Sequence, residues 1–448
     1  MRRTLLTLLW LGLSPTCAWA LAPEEARHLL VRTGFDASAA PDYAALDHPA
    51  AVRRLLAGVR REALTPPPAW ADDPLPDPRA VRDMSDAERK ALQERLRQQA
   101  IDLKGWWYRE MLATDSPLTE RLTLFWHNHF TSGLRKVKAP VLLYRQNLLL
   151  RRHAAGNFRE LLHAVARDPA MTLYLDNHVN RKDKPNENFA RELLELFTLG
   201  EGHYSEQDIK EAARAFTGWT IDRHSGAFRF NLYQHDDGVK TFLGKSGKFD
   251  GDDILDILLE QPRTAEHVVE KLWREFVSDT PDPDEVRRLA QVFRASGYEL
   301  RPLLEGLLTA PAFRDPKNRG TLVKSPAELI VGTLRMFPLP ALEPPQLVFA
   351  GHFLGQDLFD PPNVKGWPGG TAWITSNTLL ARQKFLDRVA RAVEAPDPRG
   401  DDMPASRHDP STLAILLLPL PPANTDTPAA DATARARQPL LDPVYQLK

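Results

Sequence analysis

Cysteine is all but absent. Cys17 is the only one in 448 residues, and it lies within the first twenty, which read as a removable leader. A chain without that leader has no thiol. It can form no disulfide, offer no thiolate nucleophile and give a metal no sulfur ligand. A charge imbalance is lacking too: 58 Lys and Arg stand against 59 Asp and Glu, a net charge of −1. No overall basic field draws the chain to nucleic acid. Beyond the leader, no apolar run approaches the ~18 residues of a membrane span. G-x-S-x-G, H-E-x-x-H, the P-loop and the dinucleotide fingerprint are all missing, so no common cofactor is signalled. No solenoid-like repeat is visible.

What is present begins with export. Arg2 and Arg3 precede a short apolar run, Leu5 to Leu13, and Ala18-Trp19-Ala20 has small-x-small spacing. This reads as a secretory signal over 1–20, giving a soluble chain in the periplasm or outside the cell. The body carries helical periodicity, broken by the proline-rich linker "TPPPAWADDPLPDP" at 65–78. Ser116-Pro117 opens a helix, with serine expected to cap it, that runs to about Gly133. Alternating Phe228 and Phe230, the turn "DDG" and a return at Val239–Phe242 predict a β-hairpin over 226–243. The expected fold is mainly α: a multi-helix globular domain over 21–395 with a small β-hairpin insertion. From about 396 the chain is rich in Pro, Ala, Asp and Thr, the composition of a flexible, largely disordered tail to 448. Within it "LAILLLPL" (413–420) is a candidate docking segment.

Four stretches stand out: "FWHNHF" (125–130), "DPAMTLYLDN" with "NENFARELLELFTLGEGHYSEQDIKEAARAFTGW" (168–177 and 186–219), "HDDGVKTFLG" (235–244) and "PPNVKGWPGGTAWI" (361–374). In order and spacing, the chain over roughly 25–395 resembles the bacterial family catalogued as domain of unknown function 1800. The resemblance implies export and pairing with a second exported, sulfatase-like protein encoded nearby. It supplies no catalytic residues.

FWHNHF invites a reading as a His-Asn-His nuclease, but its context is a helix, not the ββα unit such nucleases use. On a helix, residues two apart point about 200° apart, so His127 and His129 cannot share one ion. His129 shares a stripe with Leu122, Phe125 and Trp126, so it is expected to be packed. His127, near Thr123, is expected to face a polar site. A metal site would need ligands from separate stretches, such as either histidine with His235 and Asp236. In "PNENFARELLELFTLG", Asn186 or Asn188 can cap the helix, and Asp176, Asn177, Asn180 and Asn186 crowd the loop before its start, where anions and hydroxyl-rich ligands are favoured. Arg191, Glu192 and Glu195 follow on one polar stripe. Arg214 of the next helix is placed to reach Glu192 or Glu195. On the glycine-hinged loop, Lys365 and Trp367 are candidate ligand contacts.

These residues suggest one convergent polar pocket. His127 or His129, Glu187, Glu192, His235 and Asp236 are its acid-base candidates. Asn186, Asn188, Arg191 and Lys365 are the binding groups, and Trp367 is a stacking surface. Its expected ligand is a hydroxyl-rich envelope carbohydrate. The alternative is a non-catalytic assembly or maturation partner of the second exported protein, presenting a flat patch around Trp367 and 413–420.

Overall fold

The computed structural model describes residues 21–222, 224–339, 342–394, 410–423 and 434–448; the expected leader lies outside them. Helices make up 62% of it. Two two-stranded hairpins are the sheet structure among the described residues, so the architecture is mainly α. No helix among them is long and apolar enough to cross a membrane.

The helix Pro117–His129 runs through the centre. Pro117 suits the first turn, where its missing N–H is not needed. The Ser116 side chain does not cap the backbone as expected; its hydroxyl meets that of Thr119 at 2.7 Å. Leu118, Leu122, Trp126 and Phe130 are buried in the shared core. Most polar residues of this helix are buried as well, and Glu120 is fully paired. Glu120 accepts two bonds from Arg151, at 2.7 and 2.8 Å, and one from Trp107 Nε1 at 2.8 Å. The long helix Asp86–Ala113, closed at its start by a Ser85/Glu88 capping box, lies alongside. The proline-rich segment packs on it: Trp70 and Ala71 are buried, and Trp106 Nε1 donates to the Pro66 carbonyl.

The sheet pairing differs from the expected hairpin. Phe228–Phe230 pairs backwards with Trp219–Ile221, and Lys240–Phe242 pairs forwards with Lys245–Gly247. "DDG" is therefore a braced loop between two hairpins. Lys240 Nζ reaches the Gly238 carbonyl across it, and Arg214 grips Asp236.

Beyond 394, residues 395–409 and 424–433 lie outside the described residues. Helix Pro410–Leu417 makes the docking contact that "LAILLLPL" offered, with Leu413, Leu416, Leu417 and Leu418 buried. The closing residues are also tied in. Val323 and Leu447 form an antiparallel bridge, and Lys448 N donates to the Leu322 carbonyl.

Candidate functional site

Helical phase separates the two histidines, and the structure reverses the expected assignment. His127, 1% exposed, sits in an aromatic box of Trp107, Phe359 and Trp367, with ring centroids 5.2–5.7 Å away. Its Nε2 has no hydrogen-bond partner among the described residues. Desolvation alone pushes its pKa down to about 4. So enclosed, His127 packs against these three rings and does not face the polar site expected of it.

His129 is the one with polar partners, although it too is buried. Its Nε2 lies 3.2 Å from the Phe197 carbonyl, and its Nδ1 lies 3.2 Å from Lys271 Nζ. The expectation failed because it weighed only the neighbours on the same helix. The facing elements are an aromatic wall for His127 and a helix end rich in free carbonyls for His129. That end arises because the helix Asn188–Glu192 widens into a π-helical turn, Leu193–Thr198. Such a turn leaves carbonyls for other partners, and π-bulges are often found at functional sites. The Leu196 carbonyl accepts from His267 Nε2 at 3.0 Å and from Lys271 Nζ at 2.9 Å. Burial lowers the Lys271 ammonium to about 8, with Arg274 adding repulsion.

Asn128, between the histidines, ties FWHNHF to the glycine-hinged loop. Its Oδ1 accepts from Trp367 N–H at 2.7 Å, and its Nδ2 donates to the Trp367 carbonyl at 3.3 Å. Gly366, at φ +83°, permits this close approach; any Cβ there would strike Asn128. Trp367 is 5% exposed and packs on His127, so it anchors the loop and is no open stacking platform.

The anchored loop separates two clefts. The first, of about 550 Å³, lies between the loop, the helices Pro117–His129 and Pro262–Phe276, and the chain's closing residue. Phe125, His129, Lys271, Arg274, Lys365, Thr371, Trp373 and Lys448 border it. Arg121 and Lys448 also reach it, but both are paired to Glu328 and Glu275. The second cleft, of about 440 Å³, is bordered by Tyr174, Asn188, Glu192, Asp360 and Pro361. The Glu192 carboxyl there is pushed up, first by burial and then by Glu195. Lys365 joins the two sides, 3.6 Å from Glu195 and 3.1 Å from Glu201.

The single convergent pocket is not formed. His129, Lys365 and Trp367 border the first cleft, while Asn188 and Glu192 border the second. Glu187 and Arg191 form an exposed ion pair that also takes in Glu206. Asn186 is used in backbone turns, its N–H donating to Asn180 Oδ1 and its own Oδ1 accepting from Asn188 N–H. His235 bonds the Thr217 carbonyl at 2.9 Å. Asp236 is held by Arg214, so Arg214 braces this loop and does not reach Glu192 or Glu195. With His235 and Asp236 committed there, the metal set that would join them to FWHNHF is not assembled. Among the described residues, no three His, Cys, Asp or Glu side chains are placed to hold a metal ion.

Lys271, His267 and Arg274 escaped the sequence reading. The signal was there: in "HVVEKLWREF" they recur at spacings of four and three, a basic stripe on one helix face. Asn128 lay inside a chosen stretch, but its role depends on a loop 239 residues away.

Comparison with family models matches residues 28–443 to one described as Protein of unknown function (DUF1800). No curated protein and no solved structure matches the chain.

Proposed function

The chain belongs to the DUF1800 family, and from that premise we propose that it is an exported protein whose first cleft binds a hydroxyl-rich carbohydrate of the cell envelope. The observation that carries this reading is the meeting of FWHNHF and the loop 361–374 around one cleft of about 550 Å³. That volume lies in the range of small-ligand sites, and the lining is of the kind sugars need. Lys365, Thr371, Lys271 and Arg274 supply donors, while Phe125 and Trp373 supply apolar edges. The signal-like 1–20 supports export.

Isothermal titration of the mature chain with neutral and acidic sugar tetramers tests the reading. Ala372→Trp fills the cleft from its exposed rim and should abolish the binding heat. Absence of heat with every tetramer, or binding unchanged in Ala372→Trp, overturns it.

A partner role has separate support. Of the patch first expected around Trp367 and 413–420, Trp367 and Leu413, Leu416, Leu417 and Leu418 are buried and Leu420 is exposed, while Phe349 and Phe353 stand 58% and 67% exposed, one turn apart on the helix Pro344–Leu354. An exposed apolar pair of this kind fits a protein contact. Co-purification with a second exported protein, lost in Phe349→Ser/Phe353→Ser while sugar binding persists, would favour this reading.

A further inference from the structure

Lys271 carries a charge that its surroundings do not balance. An ammonium has three donors. Two are used, on the Leu196 carbonyl at 2.9 Å and on His129 Nδ1 at 3.2 Å. Both acceptors are neutral, since burial keeps His129 uncharged. The nearby carboxylates are committed elsewhere: Glu270 to Arg263, Glu275 to Arg121, and Glu328 to Arg121 and Lys448. Arg274, three residues on along the same helix face, has among the described residues a loose 3.9 Å ion pair with Glu270 and no closer one. Asp279 is the one remaining carboxylate on the rim, and Lys365 across the cleft is held by Glu195 and Glu201.

We propose that Lys271 and Arg274 form an anion subsite of the first cleft, so that the carbohydrate bound there is acidic, bearing a carboxylate or a sulfate ester. An anionic oxygen at this point would take the third Lys271 donor and reach the Arg274 fork, replacing water with charge-assisted hydrogen bonds. The inference rests on the carbohydrate reading and narrows its ligand class. It also entails a proton linkage. An anion beside an ammonium that titrates near 8 raises its affinity for protons, so binding near pH 8 takes up a fraction of a proton.

The test is titration of the mature chain with a galacturonic acid tetramer, a sulfated galactose tetramer and a neutral galactose tetramer. It is run near pH 8 in two buffers of different ionisation enthalpy. Either acidic tetramer should bind about tenfold or more tightly than the neutral one, the order expected of one charge-assisted bond. The tighter of the two identifies the anionic group. Proton uptake should accompany the acidic ligands and vanish for the neutral one. Lys271→Met should weaken the preference and erase the uptake, while Lys271→Arg keeps the preference and loses the uptake. Equal binding of neutral and acidic tetramers, or no proton uptake by the unaltered chain, overturns the subsite and leaves the carbohydrate reading standing. No binding of any tetramer overturns both.

Discussion

Asn128 holds Trp367 by both faces of its backbone, accepting from the N–H at 2.7 Å and donating to the carbonyl at 3.3 Å. A side-chain amide used in this way imitates a strand partner and fixes the loop on the central helix. Asn128→Ala leaves two backbone groups of a buried residue without partners, and should cost about 1–3 kcal/mol. Asn128→Asp keeps the acceptor but sets an oxygen against the Trp367 carbonyl, so it should be at least as damaging. Gly366→Ala adds a collision and an unfavourable positive φ, worth about 2 kcal/mol or more. Thermal unfolding with hydrogen exchange over 361–374 checks these. If exchange in that loop does not rise in the Asn128 variants, the clamp has no role.

His127 should make the protein acid-sensitive. Its pKa falls from an ordinary 6.5 to about 4 in the folded state, with desolvation as the only cause. The unfolded chain therefore binds the extra proton first. The stability associated with neutral His127 is fully present above pH 6.5 and is lost as pH falls towards 4, up to about 3 kcal/mol. His28 and His267, lowered to about 3 and about 4 respectively, act in the same direction. Asp168, raised to about 7, opposes them, because folding favours its protonated form as pH falls below 7. Comparing His127→Phe with the unaltered chain isolates one histidine. The variant should lie within about 1.5 kcal/mol at pH 7 and gain relative stability at pH 4.5. Parallel pH profiles for the two proteins would contradict this.

The helices were legible because their signals are local. Pro117 at a first turn and the proline-rich break at 65–78 act within a few residues of themselves. The opposition of the two histidines was legible for the same reason. Which one meets polar partners was not, because that depends on Trp107, Phe359 and the widened turn Leu193–Thr198, brought in by tertiary packing. The π-turn itself is invisible to a periodicity of 3.6, which saw an ordinary amphipathic helix. The loop 361–374 was singled out as a candidate from its glycines and tryptophans. Burial of Trp367 was not readable there, because its cover comes from the central helix.

Export makes a separate prediction. The mature chain should begin at Leu21, after Ala18-Trp19-Ala20, and so should contain no cysteine. Mass spectrometry of the exported protein checks the terminus. Its unfolding midpoint should be the same with and without dithiothreitol. Retention of Cys17 would refute the leader assignment, and a midpoint lowered by the reductant would refute the thiol-free chain.

The buried ion network at the cleft wall makes an ordered prediction. Glu328 accepts from Ser325 N–H at 2.7 Å, faces Arg121 at 2.9 Å and pairs with Lys448. These partners hold its carboxyl well below the usual carboxylate range against the cost of burial. Glu328→Gln keeps the shape but leaves Lys448 with only the Glu275 contact at 3.9 Å, and Arg121 with Glu275 alone. Breaking one side of a buried pair typically costs about 3–5 kcal/mol, mostly from the charges left behind. Lys448→Met removes the other end, yet Glu328 retains Arg121 and the Ser325 N–H, so it should cost clearly less. Urea unfolding of the two variants measures the order. Because the folded pKa of Glu328 is depressed, its contribution is present above the usual glutamate range and is lost as pH falls towards the folded value. The gap between Glu328→Gln and the unaltered chain should therefore shrink on strong acidification. A Lys448→Met loss equal to or larger than that of Glu328→Gln would mean that the closing residue, not the carboxylate it meets, holds this wall together.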